Sequence, residues 1–175
     1  YGMSGILVAK EDRVGDGRIA NPCAGFKTLK HGDVVPYDTF VRTDARPSSV
    51  KGAGMGLFAV ESIRQYEWIG FYPGKVTKRV NKKLASHTMG SAVEGLFIIG
   101  DPAVQTGVHM VNEAGATPHD ANVWYVKLGQ TGYVLYFAGR DILANEELFT
   151  CYGRNYTRRP YAISRQGCAD PRCGK

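Results

Sequence analysis

The chain has 175 residues, 43% of them hydrophobic and 22% charged, which suits one domain with a buried core and excludes long disorder. Its formal net charge of +6 is first of all a solubility feature and can equally help approach to nucleic acid or a nucleosome surface, but no basic run is long enough for a dedicated nucleic-acid arm. No apolar stretch nears the roughly 20 residues of a membrane-spanning helix, and the opening Tyr1-Gly2-Met3-Ser4 shows no signal-peptide pattern.

Residues 1–36 read as an irregular N-terminal extension whose one apolar run is Gly5-Ile6-Leu7-Val8-Ala9. Residues 37–161 read as the main domain and 162–175 as a tail. The 22 glycines and 8 prolines favour tight turns between short strands. β-Branched and aromatic residues predict strands at Thr39–Thr43, Gly56–Val60 and Glu67–Tyr72, the last stopped by Pro73-Gly74. One helix is predicted, with Thr77 as N-cap, Val80 and Leu84 on one face and Gly90 at its end. Strands resume at Leu96–Ile99. Residues 122–128 and 133–138 flank Gly129-Gln130-Thr131-Gly132 as a hairpin, and Glu147–Thr150 is a last strand. The four cysteines, Cys23, Cys151, Cys168 and Cys173, are too scattered for a disulfide scaffold, so a reducing, intracellular setting is expected.

Three segments carry candidate chemistry. Lys51-Gly52-Ala53-Gly54-Met55-Gly56 is a turn whose backbone can approach a ligand; a strand follows it, which rejects the dinucleotide-binding reading. Asn112 in Met110-Val111-Asn112-Glu113-Ala114-Gly115 offers an amide with both donor and acceptor. Asp141 to Gly153 ends in Glu147-Leu148-Phe149-Thr150-Cys151-Tyr152-Gly153, a strand closed by a tyrosine.

In this order the segments resemble the SET-domain family of protein-lysine methyltransferases. Gly54-Met55-Gly56 matches the family's Gly-x-Gly, Tyr72-Pro73-Gly74 its Tyr-x-Gly, and Asn112 with Asn122 the two ends of its third motif. Glu147-Leu148 and Tyr152-Gly153 match the fourth. The resemblance runs from about Phe40 to Tyr161. It implies a mainly β, β-clip type fold of several short-stranded sheets, a knot-like C-terminal crossing and one or two short helices. It departs from the family at Glu113 and Gly115, where His and Cys are usual, at His109, where Arg is common, and in the longer loop at Thr117–Asp120. Cys168 and Cys173 alone cannot fill a four-ligand structural zinc site, so no metal is expected.

The resemblance implies transfer of a methyl group from S-adenosyl-L-methionine to a protein lysine, a histone tail first among substrates, in the nucleus, with weak contact to nucleosomal DNA. Tyr152 is then the catalytic tyrosine. Gly54, Met55, Gly56, His109, Asn112, Glu113 and Tyr156 would hold the cofactor, and Tyr72, Tyr125 and Thr150 would line the lysine channel. Strand alternation also fits Tyr125 to a core position. A small Thr150 leaves room for di- or trimethylation. A free tyrosine titrates near 10, so Tyr152 suits orientation and electrostatic stabilisation better than general-base work. Two other readings stay open: the same fold binding cofactor or peptide without turnover, and a basic β-rich domain contacting nucleic acid.

Overall fold

Glycine and proline cut this backbone into strands of two to five residues. The computed structural model describes residues 26–80, 86–114, 121–129 and 131–152. Among them, β1 (Val34–Val35), β5 (Gly74–Thr77), β7 (Phe97–Ile99) and β6 (Thr88–Gly90) form one antiparallel sheet in that spatial order. A second sheet runs β4 (Trp68–Phe71), β10 (Val134–Ala138), β9 (Val123–Lys127). Two pairs complete the fold: β2 (Thr43–Pro47) with β3 (Met55–Ala59), antiparallel, and β8 (Asn112–Glu113) with β11 (Phe149–Thr150), parallel. A 3-10 helix spans Val108–Met110. The class is the expected one, mainly β in several small sheets. The C-terminal crossing and tail lie outside the described residues.

Beside a small second cluster of Val50, Ala114 and Phe149, the alternation of apolar residues places the main core between these sheets. Leu57, Ile69, Val76, Ile98, Tyr136 and Leu148 are among its buried members. Leu29 and Val35 belong to it too, and β1 pairs with β5, so this part of the 1–36 segment packs on the main domain. The hairpin forms where its turn residues put it, with Val134 opposite Lys127 and Tyr136 opposite Tyr125.

Two predicted elements differ. The strand expected at Thr39–Thr43 begins only at Thr43 and runs on to Pro47. Thr39 Oγ1 donates to the Val41 carbonyl at 2.8 Å, a local turn that competes with strand pairing, and Thr39 keeps only a single bridge to Gly70. The helix expected from Thr77 is also overturned at both ends. Thr77 closes β5 and Gly90 closes β6, while Leu84 lies outside the described residues. The Thr77 hydroxyl accepts from the Arg79 N–H at 3.2 Å, a bond that serves a tight turn as readily as an N-cap.

Pro73-Gly74 does more than stop a strand: there the chain passes from the β4 sheet to the β5 sheet. Gly74 has φ +122, and a Cβ on it would overlap the carbonyl of Ile99 on the neighbouring strand. Gly74→Ala is therefore expected to cost about 1–3 kcal/mol in urea unfolding. Gly129→Ala has open space around it and should stay within about 0.5 kcal/mol of wild type. Equal midpoints for the two variants would contradict this account of the crossover.

Candidate functional site

The Gly54-Met55-Gly56 turn leads straight into β3, and β3 draws the end of the chain beside it. Leu148 N–H donates to the Leu57 carbonyl at 2.7 Å, and Glu147 bridges to Phe58. The Glu147 side chain is buried and accepts from Ser48 Oγ at 2.6 Å, Ser49 N–H at 2.8 Å and Ser49 Oγ at 2.7 Å. Asn112 Nδ2 reaches it at 3.4 Å. A Cβ on Gly56 would overlap this carboxylate and sit 3.1 Å from Asn112 Nδ2. Gly56 is thus small to admit a protein carboxylate. Gly54, with φ +76 and nothing within 4 Å of its missing side chain, faces open space and takes a backbone conformation that favours glycine.

Asn112 is the next piece. It sits on β8, where it pairs with Phe149 of β11. Its Nδ2 donates to the Met55 carbonyl at 3.0 Å, which fixes the amide orientation. Its Oδ1 accepts no hydrogen bond among the described residues and remains available. Asn122 braces the same junction. It is buried, its Nδ2 donates to the Glu147 carbonyl at 2.9 Å and to Glu146 Oε1 at 3.0 Å, and its Oδ1 accepts from the Phe149 N–H at 2.7 Å. Burial alone would raise the Glu146 carboxyl, but Arg140, the Leu143 N–H and the Asn122 amide hold it below the usual range.

Tyr152 follows β11 directly. Its hydroxyl donates to the Val111 carbonyl at 2.8 Å, and its backbone N–H lies 3.3 Å from Glu113 Oε1. Glu113 is fully buried and pairs in register with Thr150, itself buried. The Gly-rich turn, Asn112 with Glu113, and Tyr152 therefore lie side by side. Cys151, between Thr150 and Tyr152, is buried and disulfide-bonded, which the cysteine spacing did not indicate; its partner lies outside the described residues.

Three further tyrosines gather on the inner side of the β4–β10–β9 sheet. Tyr125 and Tyr136 stack with ring centroids 5.5 Å apart, and Tyr72 lies 6.2 Å from Tyr136. Tyr72 and Tyr125 were expected at the channel; Tyr136 was not singled out. Tyr156 lies outside the described residues. Ser48, Ser49 and Glu147 were also missed as a group, although paired hydroxyls ahead of the glycine turn are natural partners for a buried carboxylate.

His109 is placed elsewhere. Its ring meets Tyr37 edge-on at 5.2 Å, lies 6.1 Å from His87 and packs on Gly100. Nε2 is 3.1 Å from the Asp101 carbonyl, and Nδ1 is buried without a hydrogen-bond partner. Those contacts belong to the β5–β7–β6 side of the core. A separate groove of about 780 Å³ beside β2, lined by residues including Thr39, Arg42, Asp44 and Thr106, contains none of the expected site residues.

The SET domain family matches residues 54–153 of this chain. No curated protein matches it. Among solved structures, the Chaetomium thermophilum polycomb repressive complex 2 is similar at 23% identity and TM-score 0.55, over 70% of this chain and 17% of that one. An active polycomb repressive complex 2 in the stimulated state gives 23% and 0.55, over 77% and 17%. The basal state gives 25% and 0.52, over 67% and 16%. The chain spans about a sixth of the length of those solved chains, and the likeness is one of fold.

Burial lowers both His87 and His109 from the ordinary value of 6.5, and at His109 the Asp101 carbonyl only partly offsets it. The unfolded chain therefore takes up these protons first as pH falls. The stabilisation is whole above about pH 6.5 and drains away from there down through the folded-state values. Melting temperature is expected to drop between about pH 7.5 and 5.5, and His109→Gln should flatten that slope. An unchanged slope in the variant would contradict the assignment.

Proposed function

Because the chain belongs to the SET-domain family of protein-lysine methyltransferases, we propose that it moves a methyl group from S-adenosyl-L-methionine to the ε-amine of a protein lysine. The observation that supports this reading is a chain of contacts: Asn112 Nδ2 donates to the Met55 carbonyl of the Gly-rich turn, and Tyr152 donates to the carbonyl of Val111, the residue before Asn112. The residues present fit the cofactor: Gly54 puts no side chain in the way of a ligand that approaches the turn, and Asn112 Oδ1 is an acceptor that no described residue uses. When bound, the cofactor supplies an electrophilic methyl group on a sulfonium. Asn112 and the Glu113 backbone would hold it against the Gly54–Gly56 turn. His109, set in a different part of the core, is better read as a packing histidine.

The remaining work falls to tyrosines. Lysine attacks only as the neutral amine, and its free pKa is about 10.4. A channel walled by Tyr72 and Tyr125, with Thr150 at its base, would favour the neutral form by removing water. The Tyr152 proton is committed to the Val111 carbonyl, so its phenol oxygen presents lone pairs to the amine or the methyl group. It would orient the reacting atoms and stabilise their charge, acting mainly through alignment. A histone tail is the first substrate to test, since the net charge of +6 suits a DNA-wrapped target. On that reading the protein works in the nucleus.

Methyl transfer from radiolabelled cofactor to core histones and cell lysate tests the proposal. Wild type is expected to label lysine, and Tyr152→Phe to lose about 10²-fold in rate while still binding S-adenosylhomocysteine. Product masses should include di- or trimethyl-lysine if Thr150 leaves the room its size implies. Equal labelling by both proteins would remove Tyr152 from its role. Cofactor binding without any transfer by wild type would leave a binding module, and salt-sensitive DNA binding without cofactor binding would leave a nucleic-acid domain.

A further inference from the structure

Tyr136 stands at the centre of the β4–β10–β9 sheet. On one side it is in register with Tyr125, and on the other with Gly70, which offers no side chain to compete for the space. Its ring is 2% exposed and stacks on Tyr125 at an interplanar angle of 26°. Tyr72, whose backbone N–H donates to the Val134 carbonyl at 2.8 Å, packs on it from the β4 side. Tyr72 and Tyr125 come from opposite edges of this sheet, and Tyr136 touches both. Partly exposed Tyr125 and buried Tyr136 thus stand side by side on one face of the sheet, the outer ring against the inner.

We propose that Tyr136 is a positioning residue: its buried ring fixes the orientation of Tyr125 and Tyr72, and through them the alignment of the substrate lysine. The inference rests on the methyl-transfer reading above. Tyr136 gives up no proton itself. Burial pushes its hydroxyl well above the ordinary tyrosine value, and the nearby Tyr72, Tyr125 and Tyr152 phenols push it the same way. The ring is therefore a neutral support. Stacked aromatics prefer an offset geometry, and a cross-strand pair on one sheet face holds that geometry through the backbone register. Removing the inner ring frees Tyr125 to turn into the vacated space, and alignment errors near 1 Å cost on the order of 10²-fold in rate.

The test compares Tyr136→Leu with Tyr136→Phe in the whole chain. Leu keeps an apolar filling but removes the stack; its kcat is expected to fall about tenfold to a hundredfold, with S-adenosylhomocysteine affinity within twofold, about the wild-type value. Phe restores the ring and should bring kcat back to within about threefold. Ring-flip rates of labelled Tyr125, measured by NMR, supply an arm that needs no turnover. Flipping should be slow in wild type and in Tyr136→Phe, and fast in Tyr136→Leu. A Leu variant that loses kcat and cofactor affinity in equal proportion, or that leaves the Tyr125 flip rate unchanged, overturns the proposal. If wild type transfers no methyl group, the methyltransferase reading fails, and the flip rates alone decide whether Tyr136 holds Tyr125.

Discussion

One buried carboxylate organises this site. Glu147 lies near the C-terminal end of the described chain, yet its oxygens are held by Ser48 and Ser49, almost a hundred residues earlier, with Asn112 at longer range. Burying a carboxylate costs several kcal/mol unless its lone pairs are met. Here hydroxyl and backbone donors meet them, and the missing side chain of Gly56 makes the space. The consequence is geometric. The loop before β3, strand β8 and the approach to β11 cannot separate without stranding that group, and leaving a buried acceptor unmet typically costs about 1–3 kcal/mol or more. Glu147 thus ties the Ser48–Ser49 loop to Asn112, the Ser48 N–H ties that loop to the Gly54 carbonyl, and Tyr152 joins through the carbonyl of Val111.

Much of the fold was legible because turn chemistry is local. The Gly129–Gly132 segment defines the β9–β10 hairpin, and Leu128 N–H donates to the Tyr133 carbonyl at 2.8 Å to close it. Counting outward from that pair places Tyr136 opposite Tyr125, so the tyrosine stack was within reach of sequence reasoning, given the register. The failures were also physical. Thr39 was read as a strand residue by propensity, but its hydroxyl found a backbone carbonyl two residues on. Thr77 was read as a helix cap, but Val76 between its neighbours is wholly buried in the sheet, and burial overrides propensity.

The site was legible as a set of segments and less so as individual roles. The Gly-rich turn reads in sequence as a backbone open to a ligand, with Gly54, Met55 and Gly56 assigned together, whereas in the structure Gly54 faces open space and Gly56 faces Glu147. That distinction depends on a contact about ninety residues away in sequence. His109 was expected near the cofactor by its place before Asn112. A short 3-10 turn aims the His109 ring at Tyr37 and His87, and periodicity does not foresee such a turn.

The most direct measurement is a calorimetric titration of S-adenosylhomocysteine into wild type and Glu147→Gln, with folding checked by the thermal melt of each. An amide presents a donor where Ser48 or Ser49 already donates, so the loop carrying Gly54 should loosen. The account predicts a folded variant whose affinity for this ligand falls at least about tenfold, close to 1.4 kcal/mol. A folded Glu147→Gln that binds as tightly as wild type would contradict it.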